Sequence, residues 1–208
     1  KIRFYIVKKM KFNVNQQELQ KSLNYCQGVI EKRSTLPILS NILIEAKDKK
    51  LNLIATDLDL VFIHEINNIE VLEEGKTTTS SSVIYDIVRK ISAGKKINFS
   101  NEGNNKVHLE AENSIFNLNC ISADEFPLTE DNFNKNEFLM NSKKLLKILN
   151  KCKFSISNDE TRHYLSGIYL HQSQVDDKIF LIGAATDSHR MSISKIRLEN
   201  KIDFEPII

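Results

Sequence analysis

Residues 12–26 read FNVNQQELQKSLNYC, and residues 138–152 read FLMNSKKLLKILNKC. Set one above the other at an offset of 126, Phe12 meets Phe138, Asn15 meets Asn141, Leu19 meets Leu145, Leu23 meets Leu149 and Cys26 meets Cys152. The same offset carries LSNIL at 39–43 onto LSGIY at 165–169. The second copy then gains about four residues around SQVD at 173–176, after which ATD at 55–57 aligns with ATD at 185–187. Chance supplies a few matched leucines, not a register held over about thirty positions, so the chain carries an internal duplication.

Each copy opens on a short alternating segment and continues into a helix. In the second copy Leu145, Ile148, Leu149 and Cys152 fall at i, i+3, i+4 and i+7, one stripe of a 3.6-residue period. Asn141 or Ser142 is the expected N-cap. In the first copy Leu19, Leu23, Cys26 and Ile30 make the same stripe, so the cysteines read as buried apolar residues. Strand signals follow in LPILSNILIEA, KLNLIATD and LVFIHEI, rich in β-branched residues and divided by polar turns. A smaller echo then appears: KTTTS leads into a helix over SSVIYDIVRKI, capped by Ser81 or Ser82, and into the strands KKINFS, KVHLEA and SIFNLNCIS. The first repeat is therefore two β-α-β-β-β units, residues 10–70 and 74–122. The acidic segment DEFPLTEDNFNKN reads as a linker, and the second repeat reaches Ile208 after its first such unit.

Bulk properties narrow the function classes. The 208 residues suffice for one full domain and part of a second. With 29 basic against 27 acidic residues the net charge is +2, so any nucleic-acid contact must come from where the charges lie. Three cysteines without CxxC spacing argue for a reducing, cytoplasmic setting and against a disulfide framework or zinc finger. No apolar run approaches the ~20 residues of a membrane helix. The leader KIRFYIVKK has too short an apolar stretch for a secretory signal. Met10 before KFNV reads as a natural start, with residues 1–9 either an upstream extension or a remnant of cloning.

On the helix at 142–153, Lys144, Lys147 and Lys151 lie nearly opposite the apolar stripe, with Lys143 close by. Such a face can follow a phosphate backbone without reading bases, or can simply be solvated. The helix at 82–91 offers Arg89 and Lys90, the first helix only Lys21, and Arg33 follows it.

The stretch ATDSHRM at 185–191 gathers an acid, a hydroxyl, an imidazole and a guanidinium. A metal site needs three or four ligands, and no HxxxH or HxE spacing joins His163, His171 and His189. On a strand, Ser188 and His189 would face opposite ways, which disfavours a nucleophile–base pair. No glycine-rich phosphate loop occurs among the 6 glycines. The first copy has ATDLDL at the same place, so the shared Thr-Asp reads as turn chemistry, a carboxylate taking backbone N–H groups. What is particular to the second copy is SHRM, polar groups and a methionine at a strand start, which suits a shallow pocket for a peptide.

ATDSHRM resembles the ATDGHRL signature of bacterial DNA sliding clamps, the β subunit of DNA polymerase III. MKFNV is similar to the start of that family, RSTLPILSNIL to RPTLPILxNxL, ATDLDL to GTDLEM, SADEFP to xAxDFP, and RHYLSGIYL to RYYLNGMLF. The matches run in order from Met10 to about Lys195. The resemblance implies an α+β DNA clamp fold: repeated β-α-β-β-β units with antiparallel sheets outside and helices on one inner face. It implies domain 1 at 10–136 and the first half of domain 2 at 137–208, with domain 3 absent. It implies a processivity factor for DNA replication rather than an enzyme, needing no cofactor and no metal. Such a clamp encircles double-stranded DNA as a homodimeric ring and tethers polymerase and clamp-loader subunits through short peptide motifs. Arg33, Arg89, Arg162, His163 and Tyr164 match DNA-contacting positions, to which the residues themselves add Lys144, Lys147 and Lys151. Leu165, Thr186, His189, Arg190 and Met191 match the partner-peptide pocket, with Ser188 in the motif's glycine position. Phe116 and Leu118 match the edge that joins the other subunit.

Three departures accompany the resemblance. Ser188 replaces a glycine and is strained if its φ is positive. His163 replaces a tyrosine, and Asn113 and Ile115 stand where basic residues often flank the interface strand. A chain of this length is expected not to close the usual ring by itself, and to aggregate or depend on a partner fragment. Two other readings are a non-ring interaction module or inactive clamp fragment, and a metal-dependent hydrolase using Asp187, His189 and His163.

Overall fold

The structure, a computed structural model, describes residues 9–30, 36–101, 106–128, 139–202 and 204–208. It divides into two compact units, Lys1–Glu130 and Asp131–Ile208. Arg33 lies outside the described residues.

In the first unit β1 (Met10–Asn15) leads directly into α1 (Gln16–Cys26), whose N-terminus is capped by the Asn15 side chain accepting from Gln17 N. A 3₁₀ turn (Pro37–Ser40) precedes β2 (Asn41–Lys47), β3 (Lys50–Thr56) and β4 (Val61–Ile66). A short β5 (Glu70–Glu73) and β6 (Gly75–Ser80) follow, then α2 (Ser81–Val88), β7 (Lys96–Asn101), β8 (Lys106–Ala111) and β9 (Ser114–Asn119). All pairings are antiparallel, in the orders β5-β1-β7-β8-β9 and β4-β3-β2-β6. The two β-α-β-β-β units are thus interleaved: the first strand of each, β1 or β6, joins the three later strands of the other.

That exchange makes one core. Phe12 on β1 stacks on Phe99 on β7 at 4.7 Å, and both are buried with Leu19, Leu23, Cys26, Leu53, Ile84 and Val88. The helices are tied together by polar side chains: Gln16 Nε2 donates to Val88 O, Gln27 Nε2 to Ser81 Oγ, and Tyr85 OH to Asn24 Oδ1. Burial pushes the Cys26 thiol up to about 12, consistent with a packing role and not a reactive one.

The second unit contains α3 (Ser142–Cys152), then 3₁₀ turns at Lys153–Ser155 and Glu160–Leu165. A three-stranded antiparallel sheet follows, ordered β10 (Tyr169–Val175), β11 (Lys178–Thr186), β12 (Met191–Leu198). Ile148 and Cys152 pack with Leu181 and Ala185. The four extra residues of the second copy divide evenly over one hairpin. Ile44 pairs with Leu53 and Lys47 with Lys50 at its end, whereas Leu170 pairs with Gly183 and Val175 with Lys178. Each arm is longer by two residues, which leaves every side chain on its own face of the sheet. Both hairpins close on an Asp-led pair with positive φ, Asp48-Lys49 and Asp176-Asp177. The correspondence extends to Ile207, whose bridge to Leu170 occupies the place of the Thr77–Ile44 pair.

Several expectations are corrected. The alternating segment of the second copy is no strand at 139–141: β1 finds its partners in β5 and β7, and no counterpart of β7 occurs among the described residues of the second unit. The second helix stops at Val88, so Arg89 and Lys90 lie beyond it, and its N-cap is Ser80, whose side chain takes no backbone N–H of the helix. Residues 37–40 form a 3₁₀ turn because Pro37 pre-sets φ for a helical start. The acidic segment after β9 does not begin as a free linker. Phe126 is buried against Leu43 and Ile54 on the outer face of the four-stranded sheet, and a 3₁₀ turn at Ala123–Glu125 delivers it there. The remainder of that segment, 129–136, lies outside the described residues, as do 137 and 138. No helix among the described residues is long and apolar enough to cross a membrane.

Candidate functional site

The turn between β11 and β12 is built by Thr186 and Asp187. Thr186 Oγ1 donates to Arg190 O at 2.8 Å and accepts from Ser188 N at 3.1 Å. Asp187 Oδ1 accepts from His189 N and Arg190 N, both at 3.0 Å, and Oδ2 accepts from Arg190 Nε at 2.9 Å. The two backbone N–H groups, more than the guanidinium, hold the Asp187 carboxyl below the usual carboxylate range. Both oxygens of that carboxylate are thus engaged in shaping the turn. Among the described residues no group of three His, Cys, Asp or Glu side chains is placed to hold a metal ion. Ser188 and His189 belong to the turn itself and not to a strand. Ser188 takes φ +74°, the left-handed region in which glycine is at ease.

The first unit repeats every bond of this turn except that of the guanidinium, since Leu60 stands at the place of Arg190. Thr56 Oγ1 donates to Leu60 O and accepts from Leu58 N, Asp57 Oδ1 accepts from Asp59 N and Leu60 N, and Leu58 has φ +83°. The recurring Thr-Asp is therefore the turn chemistry expected of it.

Arg162 reaches the turn from the 3₁₀ segment. Its Nε donates to Asp159 Oδ2 and its Nη1 to Ser188 Oγ, each at 2.8 Å. The Asp159 carboxyl also accepts from Thr161 Oγ1 and Thr161 N, and these bonds together with Arg162 hold it at about 2. The arginine assigned from sequence to a DNA face is thus bonded into the SHRM turn. Of the remaining pocket candidates, Leu165 is half-buried, Thr186 is half-buried, His189 and Arg190 are exposed, and Met191 is 63% exposed at the start of β12. Arg190 lies over the Phe154 ring, 5.6 Å from its centroid. Ile193 is 62% exposed and, two residues along the strand, shares the face of Met191. Phe154 and Ile193 were not singled out from the sequence. The period of two on a strand that begins at Met191 was a signal for Ile193, while nothing local marked Phe154.

On α3 the Asn141 side chain accepts from Lys143 N, and Lys143, Lys144, Lys147 and Lys151 are exposed while Ile148 and Cys152 are buried. Leu145 and Leu149 are half-buried, so the lysine face and the apolar stripe point apart as expected. His163 and Tyr164 are exposed beside Arg162. Arg89 is exposed and paired with Asp86 at 3.0 Å.

β9 is the outer strand of the five-stranded sheet. Its Phe116 and Leu118 face inward: Leu118 is buried in the core and Phe116 packs half-buried against it. The sequence assigns these two residues to the edge that joins another subunit, and the strand that carries them ends its sheet. What the strand leaves open is its backbone edge and Ile115, which is 69% exposed.

The family DNA polymerase III beta subunit, N-terminal domain, matches residues 10–130, and the central domain of the same subunit matches 139–207. The chain belongs to the DNA polymerase III beta subunit family. Among its relatives, the beta sliding clamp of Caulobacter vibrioides is 34% identical over 189 residues, covering 90% of this chain and 50% of the relative. The beta sliding clamp of Rickettsia felis is 36% identical over 193 residues, covering 93% and 49%. The chain spans about half the length of the curated relatives it matches. A crystal structure of the Caulobacter crescentus beta sliding clamp superposes with a TM-score of 0.91 at 32% identity, over 97% of this chain and 54% of that one. The Bartonella birtlesii sliding clamp bound to griselimycin superposes at 0.87 with 34% identity, over 91% and 50%.

Proposed function

We propose that the chain works as part of a sliding clamp, a processivity factor that encircles duplex DNA and tethers a DNA polymerase, acting by enclosure and not by catalysis. The observation that carries this reading is the match of both units, in order, to the N-terminal and central domains of the clamp subunit. Domain 1 is assigned to residues 10–136 and the first half of domain 2 to 137–208, in a cytoplasmic protein. The residues assigned to DNA contact are Arg33, Arg89, Lys144, Lys147, Lys151, Arg162, His163 and Tyr164. Exposed ammonium groups on a helix hold phosphates loosely and without regard to sequence, which is what sliding requires. Leu165, Thr186, Ser188, His189, Arg190 and Met191 form one side of a pocket for a short peptide of a polymerase or clamp-loader subunit. The Bartonella clamp bound to griselimycin, a peptide-like ligand, supports a peptide-binding role for the family. Phe116 and Leu118 on the β9 edge are assigned to a homodimer interface.

The test is topological. The protein is loaded with a clamp loader and ATP onto nicked circular DNA and passed over a sizing column in moderate salt. Clamp action predicts co-elution with the circle and release when the circle is cut. A monomer by native mass spectrometry that leaves circular and linear DNA alike would instead favour a non-ring interaction module, a reading prompted by the half-length match. Hydrolysis of nucleic acid or ester substrates abolished by EDTA would overturn both.

A further inference from the structure

The outer face of the β10-β11-β12 sheet differs in charge from its counterpart in the first unit. Ile148 and Cys152 of α3 pack with Leu181 and Ala185 on the inner face, so the residues between those two on β11, with their partners on β10 and β12, point the other way. They align in rows across the sheet. His171, Ile182 and Lys195 make one row, and Ser173, Phe180 and Arg197 the next. At the repeat offsets the first unit has Glu45, Asn52 and Glu65, then Lys47, Lys50 and Asn67. There two lysines balance two glutamates. Here Lys195 and Arg197 meet no carboxylate in either row.

One exchange shows how the charge is kept. In the first unit Lys50 Nζ pairs with Glu65 Oε2 at 3.0 Å. At the same two places Lys195 Nζ lies over the Phe180 ring, 5.0 Å from its centroid. An ion pair has become a cation–π contact, which orients the ammonium without neutralising it. Among the described residues neither Lys195 nor Arg197 forms an ion pair. Both are exposed. Two strands away the Tyr169 and His171 rings stack with centroids 4.9 Å apart, and Tyr169 is 41% exposed. A sheet face with cations on one strand and an open ring pair on another suits single-stranded nucleic acid, whose phosphates take the cations and whose bases stack on the rings. A duplex keeps its base faces inside its own stack. An acidic peptide would engage the cations and leave the ring pair idle.

We propose that this outer sheet face is a second nucleic-acid site, which takes a single strand, with Lys195 and Arg197 on its phosphates and Tyr169 stacking on a base. It is separate from the lysine face of α3, which lies across the sheet and is assigned to duplex DNA.

The probe is a fluorescein-labelled oligothymidylate of about fifteen nucleotides, its affinity read by polarisation on the whole chain over a range of salt. Wild type is expected to bind it. Lys195→Glu, the exchange that copies Glu65, is expected to weaken binding about tenfold or more, and Lys195→Ala to lower the salt slope by about 0.7, the share of one phosphate. Tyr169→Leu, which copies Leu43, should cost about fivefold or more with the salt slope unchanged, the mark of lost stacking. Lys147→Ala on α3 should leave the affinity within about twofold, since that face is assigned to duplex. All of these side chains are exposed, so melting temperatures are expected to hold. Failure of wild type to bind the oligonucleotide overturns the proposal. Loss of binding in Lys147→Ala but not in Lys195→Glu puts the strand on α3 and overturns it too. A Tyr169→Leu protein with wild-type affinity overturns the single-strand reading, and displacement of the probe by a nine-residue oligoglutamate would then assign the face to acidic peptides. None of these results touches the clamp reading, which is decided on circular duplex DNA.

Discussion

Thr56-Asp57-Leu58-Asp59-Leu60 and Thr186-Asp187-Ser188-His189-Arg190 close equivalent hairpins with the same hydrogen bonds and the same positive φ at the third residue. Backbone duty rests on the first two residues, which leaves the tip free to differ: apolar and acidic in the first unit, basic and polar in the second. The cores differ in another way. The first unit buries Ser22 on α1 and Leu53 on β3; at the same places the second unit buries Ile148 on α3 and Gly183 on β11. The bulk has moved from strand to helix. A Cβ on Gly183 would lie 2.3 Å from Ile148 Cγ2, so the two residues are matched as a pair. The comparison teaches that the fold conserves a filled volume and a turn's wiring, and tolerates exchange of the residues that supply them.

The sharpest way to break the comparison is to give the second unit the first unit's strand residue. Gly183→Leu is expected to destabilise by about 3 kcal/mol or more, because overpacking has no room to relax. Adding Ile148→Ser should recover part of that loss, measured as a coupling in urea unfolding; strict additivity of the two changes would refute the paired-volume account. Next in size is Met191→Ala, at an exposed position where the first unit has Val61. Partner-peptide affinity is expected to fall about fivefold to tenfold while the melting temperature hardly moves, and unchanged affinity would remove Met191 from the pocket.

A third outcome concerns acid. Asp159, at the place of Arg33, has its carboxyl lowered from 3.8 to about 2 by Thr161 and Arg162. A depressed folded-state pKa stabilises fully above the unfolded value and loses that contribution as pH falls through the folded one. The melting temperature of wild type should therefore drop more steeply from pH 4 to pH 2 than that of Asp159→Asn; parallel curves would deny the network. The smallest effect belongs to the lysine face. Lys147→Ala, with its partner change Lys21→Ala on the first unit's helix, should each lower the salt slope of DNA association by about one or less, with Lys147 the larger.

Much of this was legible in the sequence, because the duplication supplied each helix and hairpin twice. The stripe Leu19-Leu23-Cys26 and its echo at Leu145-Leu149-Cys152 located the buried faces, and the shared Thr-Asp located the turns. β5 was missed: Glu70–Glu73 is four residues with two acids, too short and polar for a strand pattern, and forms because β1 offers it an edge. The interleaving of β1 with β7 and β6 with β2 was invisible because no residue pattern names a strand's partner. The second helix was read too long, since Arg89 and Lys90 are good helix formers that sit just past its last turn. At the site, the residue types were legible but Arg162's attachment to Ser188 was not, being a contact between distant segments.

The exchanged strands also set the order in which a nascent first unit can fold. Met10 pairs with Asn101 and Asn15 with Lys96, so β1 stays without β7 until Asn101 has left the ribosome. Until then β2, β3 and β4 can zip into a local ribbon, but the Phe12–Phe99 stack and the core around it cannot close. Such long-range closure is slow, and it commits the whole unit at once rather than half by half.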